Sequence, residues 1–275
     1  MVTIVYLTLK EAVRRRATLI CVLVALALLG ASRIPLLGRF QLLPPEEASR
    51  VFVGLYVFFA TSIVKFFASG LAIGLAAGTI STELERGLLS SILPKPISRL
   101  AVYGGKWLGI FLFCAASVVV WELVIYGVAA YREPGASHRN VWESLPYVLL
   151  YPAVFTTLGM LFSNFASFPL AFGMTILAAG VGWSEGTFHV LNRAFDIRLL
   201  ATLSKMTGYV VPLGRMSRWA SEALGPLPAL EGELGAGTTG PFRDIETTGA
   251  DLAYVIGYVA LLFVLGAVLF QRRDV

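Results

Sequence analysis

Three ionisable side chains sit where the chain around them is almost wholly apolar. Lys65 lies in the run 52–80, Glu122 in 101–130 and Glu185 in 168–190. At the centre of a membrane helix such a group costs about 2.5–3.5 kcal/mol, so it takes a partner, faces a wet cavity or serves a function. With a rise of 1.5 Å per residue, Lys65 stands roughly 22 Å from Ile80 and Glu122 roughly 30 Å from Val102. Lys65 and Glu122 read either as a structural pair or as lining of a translocation path, and Glu185 joins the second possibility.

A second polar concentration interrupts the apolar pattern. It runs Thr79-Ile-Ser-Thr-Glu83-Leu-Glu85-Arg86-Gly87, then Leu93-Pro94-Lys95-Pro96-Ile97-Ser98-Arg99, then Gly104-Gly105-Lys106. Leu84, Leu88, Leu89 and Ile92 recur at helical spacing, which predicts a short amphipathic helix over 84–93. Pro94 and Pro96 stop it. Ser98 is placed to cap the helix that follows. A short helix offered by two spans can enter a groove on a partner and pass on rigid-body motion. Glu83 can pair with Arg86 or with a basic group on that partner, a role in assembly more than in folding.

Other chemistry is missing from the sequence. There are two histidines, His138 and His189, with no cysteine near either, which is too few for the usual zinc or bis-histidine haem site. His189 reads as an interfacial polar residue. The phosphate-cradling pattern G-x-x-x-x-G-K-[ST] does not occur, and Gly104-Gly105-Lys106-Trp107 lacks its first glycine and its hydroxyl. The sixth apolar run has no histidine to serve a buried serine nucleophile. The sequence reading is therefore no catalytic residue, no metal and no cofactor.

Composition fixes the elements that must hold these groups. The chain has 275 residues, 57% of them hydrophobic and 14% charged, with mean hydropathy +0.76. Soluble domains carry about 25% charged residues, so this one has too little polar surface to cover a water-exposed body. Six apolar runs have membrane length: 17–37, 52–80, 101–130, 146–163, 168–190 and 250–270. They do not alternate as barrel strands would, and lipid leaves backbone groups no outside partner. The expected fold is an all-α integral membrane protein, one domain of six transmembrane helices over 1–275.

Residues 1–16 precede the first run. Val2, Ile4, Val5, Leu9 and Val13 are apolar while Thr3, Lys10 and Arg14 share a face, which predicts an amphipathic interfacial helix. The alternatives are a cleaved signal peptide and a first span that simply begins early. Cations flank the runs at Lys10, Arg14–Arg16, Arg86, Lys95, Arg99, Lys106, Arg272 and Arg273. The positive-inside rule then puts both termini in the cytoplasm, although Arg33, Arg39, Arg50, Arg132 and Arg139 fall on the other side. The basic balance reflects these flanks and not nucleic-acid binding. Cys21 and Cys114 both lie within apolar runs. Gly70, Gly74 and Gly78 form a stripe of close helix approach, read first as intramolecular packing and second as a dimer face.

The run Glu83-x-x-x-Gly87, Leu93-x-x-Pro96-Ile97-Ser98-Arg99 and Gly105-Lys106 resembles the signature of ABC-2 type permease subunits. The ending Leu269-Phe-Gln-Arg-Arg273-Asp274-Val resembles that family's C-terminus. The match of motifs covers about residues 79–107 and the last seven; the topology covers the whole chain. Leu88 departs from the family's usual Thr. The resemblance implies a multi-pass permease of a bacterial or archaeal cytoplasmic (inner) membrane, exporting a substrate. It implies a coupling segment over 81–99 (Glu83, Glu85, Arg86, Gly87, Leu88, Pro96, Ser98, Arg99 and Lys106) that docks in a separate cytoplasmic ABC ATPase. That partner would bind ATP-Mg, and a second permease copy, as a homodimer or heterodimer, would complete the exporter in the lipid bilayer.

Between 191 and 249, Phe195, Leu199, Leu203 and Met206 share a helical face, followed by Tyr209-Val-Val-Pro212. This part reads as lying on, or re-entering, the outer leaflet. Residues 225–249 read as an extended Gly- and Pro-rich loop. Two rivals remain at this point: a membrane scaffold or assembly factor, and a secondary transporter. No matching pair of broken spans supports the latter. The substrate is not legible.

Overall fold

A computed structural model describes residues 1–14, 17–33, 44–85, 98–195, 197–225 and 248–272, and every regular element within them is a helix. In order these are α1 (Val2–Arg14), α2 (Ala17–Ala31), α3 (Pro45–Ala76), α4 (Ser81–Glu85) and α5 (Arg99–Arg132). Then come α6 (Arg139–Ser163), α7 (Phe168–Phe195), α8 (Arg198–Val210), α9 (Leu213–Leu224) and α10 (Gly249–Arg272).

Among the described residues each of the six expected runs contains a helix, and four helices are both long and apolar enough to cross a membrane: α3 with its continuation to Glu83, α5, α6 and α10. The apolar α2 has 15 residues, about 22 Å of rise, short of the ~30 Å hydrocarbon core. Gly173, Gly180, Gly182 and Glu185 dilute α7. Two helices begin earlier than the hydropathy suggests. Pro45 and the acidic Glu46 and Glu47 start α3 at its first turn, where a missing N–H and negative charge are both tolerated. α6 begins at Arg139, not at 146, and carries Pro146 and Pro152 inside it, which neighbouring helices make tolerable.

α6 is the hub. It packs on α3, α5, α7, α9 and α10, and Val148, Val154, Phe155 and Met160 are fully enclosed. α10 is the opposite case, leaving Ile256, Leu261, Val264 and Leu265 exposed. α1 lies along the start of α5, where a side chain at Gly109 would come within 2.7 Å of Thr8. Thr8 and Ala12 are buried there, while Val2, Tyr6, Leu7 and Val13 point away. The amphipathic pattern thus forms a helix over Val2–Arg14 with one face docked and one apolar edge free.

The glycine stripe behaves differently from its intramolecular reading. A Cβ on Gly70 or Gly74 would meet nothing within 4 Å. Gly70 lines an apolar groove of about 510 Å³ between α2 and α3, with Ile20, Leu23, Phe66 and Phe67.

The two poles of the bundle are tied separately. At one, Arg132 donates to the Ser32 carbonyl (2.6 Å) and stacks on Phe52, Arg50 pairs with Glu133 (3.4 Å), and Asn140 donates to the Leu224 carbonyl (2.8 Å). The other carries α4, the start of α5 and the ends of α6 and α10.

Candidate functional site

At that second pole α3 does not run straight into the polar segment. After Ala77 its i→i−4 ladder lapses, and the N–H groups of Ile80 and Ser81 donate instead to Ser163 Oγ of α6, at 3.1 and 3.0 Å. The Ser163 hydroxyl in turn donates to Ser81 Oγ (3.3 Å) and is fully buried. Left unpaired, each of those N–H groups would cost about 1–3 kcal/mol. α4 restarts the chain at Ser81 and carries Glu83, with Glu85 as its last residue.

Lys106, one turn into the apolar part of α5, reaches back to this break. Its ammonium donates to the Thr79 carbonyl (3.2 Å) and pairs with the Glu83 carboxylate, with both side chains largely buried. The sequence offered Arg86 or a partner's cation for Glu83; the fold supplies Lys106, twenty-three positions along. Ser98 caps α5 as expected, accepting from the Ala101 N–H at 3.2 Å. Arg99 donates to the Gln271 carbonyl of α10 (3.1 Å), which brings the polar island and the C-terminal motif together. Asn164 adds a link from the end of α6 to the Gly266 carbonyl (3.0 Å). Arg86, Gly87, Leu88 and Pro96 lie outside the described residues.

Two of the three ionisable groups of the apolar runs, Lys65 and Glu185, reach α9, and the third, Glu122, faces Lys65. Lys65 Nζ stands 3.5 Å from Ser217 Oγ, and the Tyr151 hydroxyl of α6 bonds the same serine. Lys65 and Glu122 interact electrostatically between α3 and α5, yet among the described residues neither Glu122 carboxylate oxygen has a hydrogen-bond partner. Glu185 accepts from the Gly214 N–H at 3.0 Å, at the first turn of α9, where a carboxylate complements the free N–H groups. The fit excludes any side chain nearby: a Cβ on Gly208 or Gly214 would sit 2.8 or 2.5 Å from the Glu185 carboxyl carbon. Glu185 therefore anchors an elbow between α8 and α9.

α10 clamps that elbow from outside. Arg215 lies over the rings of Tyr209 and Tyr254, at 4.9 and 5.2 Å, pairs with Asp251 at 2.7 Å and donates to the Gly208 carbonyl at 2.9 Å. The Tyr254 and Tyr258 hydroxyls donate to the carbonyls of Tyr209 (2.6 Å) and Val210 (2.8 Å).

A family model described as "ABC-2 family transporter protein" matches residues 2–275, nearly the whole length. The chain belongs to the ABC-2 transporter family. None of the curated proteins matches its sequence.

In this ABC-2 family protein the residues singled out from sequence fall into two groups. Glu83, Ser98, Arg99 and Lys106 gather at the pole of the break; Lys65 and Glu185 meet α9, with Glu122 facing Lys65 from α5. Sequence reasoning missed Ser163, Ser217, Gly208, Gly214 and Arg215. It also missed α9, although Leu213, Met216, Trp219, Ala220 and Leu224 recur at helical spacing between Pro212 and a left-handed Gly225 (φ 82°). α8 was legible, and its apolar residues Leu199 and Met206 are exposed, as is Phe195 at the end of α7.

Proposed function

We propose that this chain is the permease subunit of an ATP-driven exporter, six spans deep, with both termini in the cytoplasm and no catalytic site of its own. Members of the ABC-2 family typically work with a cytoplasmic ABC ATPase. In this reading a separate ATPase binds ATP-Mg and receives the segment 81–99, and a second permease copy completes the path. α1 lies on the inner leaflet through Val2, Tyr6, Leu7 and Val13. α8 and its exposed apolar face meet the outer leaflet. Lys65, Glu122 and Glu185 sit beside the route.

The observation that carries the reading is that both ends of the segment are fastened to spans. Lys106 and Ser163 hold its start, while the Ser98 cap and the Arg99–Gln271 contact hold its end. A docking element needs such fixed ends, because a load on a loose loop would be absorbed within it.

The test is co-expression with a cognate ATPase. The full chain in nanodiscs should retain the ATPase in equal copy number, two of each, and raise its ATP turnover, whereas the chain alone should hydrolyse none. Hydrolysis by the purified chain, or failure to retain an ATPase, would sink the reading. A cysteine at Ser91, after replacing Cys21 and Cys114, should react with an impermeant thiol reagent only from the cytoplasmic side; labelling from outside would reverse the orientation.

A further inference from the structure

The break between α3 and α4 keeps a few local bonds, Thr79 N–H to the Ala76 carbonyl and Thr82 N–H to the Gly78 carbonyl, but the two N–H groups between them, of Ile80 and Ser81, are taken by another helix. One hydroxyl, Ser163 Oγ, takes both stranded N–H groups, at 3.1 and 3.0 Å, and bonds Ser81 Oγ besides. Lys106 fixes the Thr79 carbonyl just before them and the Glu83 carboxylate beyond. The next residue after Ser163, Asn164, ties the end of α6 to α10.

A helix with a lapsed ladder bends easily. Bent freely here, it would fold under any push on the segment beyond it. Ser163 removes that freedom by making the end of α6 part of the break. α6 is also the helix that touches α3, α5, α7, α9 and α10, so what reaches its end reaches five other helices, including α9, whose last residue meets Asn140 at the far pole.

We propose that Ser163 is a positioning residue that makes the α3–α4 break rigid, so that displacement of the segment 81–99 moves α3 and α6 as one unit. The inference rests on the docking reading above, and Ser163 touches neither nucleotide nor transported substrate.

Three measurements on the full chain, with Cys21 and Cys114 replaced by Ala, test it. A nitroxide at Thr82→Cys in lipid nanodiscs should be immobile with Ser163 or Ser163→Thr and become mobile with Ser163→Ala. An unchanged spectrum in Ser163→Ala would overturn the proposal. In the complex with the ATPase, ATP and vanadate should change the distance between labels at Thr82→Cys and Ser137→Cys. Ser163→Ala should lose that change while ATP hydrolysis continues, and Ser163→Thr should restore it; a full change in Ser163→Ala would overturn the transmission. Finally, Ser81→Cys with Ser163→Cys, oxidised to a disulfide, should keep an ATP-driven change read from labels reacted at other positions. Loss of the change on oxidation and recovery on reduction would mean that the break must open, the contrary of this proposal. This arm decides even if Ser163→Ala folds poorly. A wild-type chain that retains no ATPase would sink the docking reading alone, and the Thr82 label would still decide whether Ser163 holds the break.

Discussion

Removing the Glu83 carboxylate leaves the Lys106 ammonium largely buried, with one carbonyl for company. Truncating one member of such a pair costs about 2–5 kcal/mol, much of it the penalty of the charge left behind. Glu83→Ala should therefore lower the thermal unfolding midpoint of the purified chain, contrary to a role in assembly alone. Lys106→Met added to Glu83→Ala should recover part of the loss, because no unpaired charge remains. Additive losses in the double variant would show that the two side chains do not depend on each other. The residue scale is also where sequence was least informative. Spacing marked Glu83 and Lys106 as polar residues of one island, but their pairing depends on α5 starting beside the end of α3. Ser163 carried no signal at all: a serine at the end of an apolar run is ordinary until its acceptor role is seen.

At the scale of elements, α9 is the clearest gap between reading and fold. Its inward residues are apolar, but Arg215, Ser217, Arg218 and Glu222 keep the segment too polar for a hydropathy criterion. Its enclosure comes from α6, α7 and α3, distant in sequence. The long apolar runs were legible because lipid and core make the same demand on them. The elbow between α8 and α9 depends on tertiary clamps, chiefly Arg215 against Asp251 and the two tyrosines. A hydrogen bond between charged groups contributes about 1.5–3 kcal/mol. Asp251→Asn should therefore raise amide exchange over residues 208–216 by roughly tenfold or more, with the centre of α6 unaffected. The same rate in both proteins would mean that the elbow is held by packing alone. Asp251 also accepts from the Thr248 N–H (2.8 Å) at the start of α10, so exchange in that first turn should rise too.

At the scale of the whole molecule, the architecture joins two polar centres through one enclosed helix. The pole bearing the break and the cluster around α9 are both in contact with α6, while α2 and α10 leave much apolar surface free. Such a shape suits a subunit that completes itself in lipid and with partners. In the function proposed here, residues 81–99 face and bind a cytoplasmic ATPase. The most direct measurement places a photoreactive amino acid at Leu88, and separately at Thr239, in membranes containing the ATPase. The expected result is a covalent adduct to the ATPase from Leu88 and none from Thr239. No adduct from Leu88, or an equal adduct from Thr239, would contradict it.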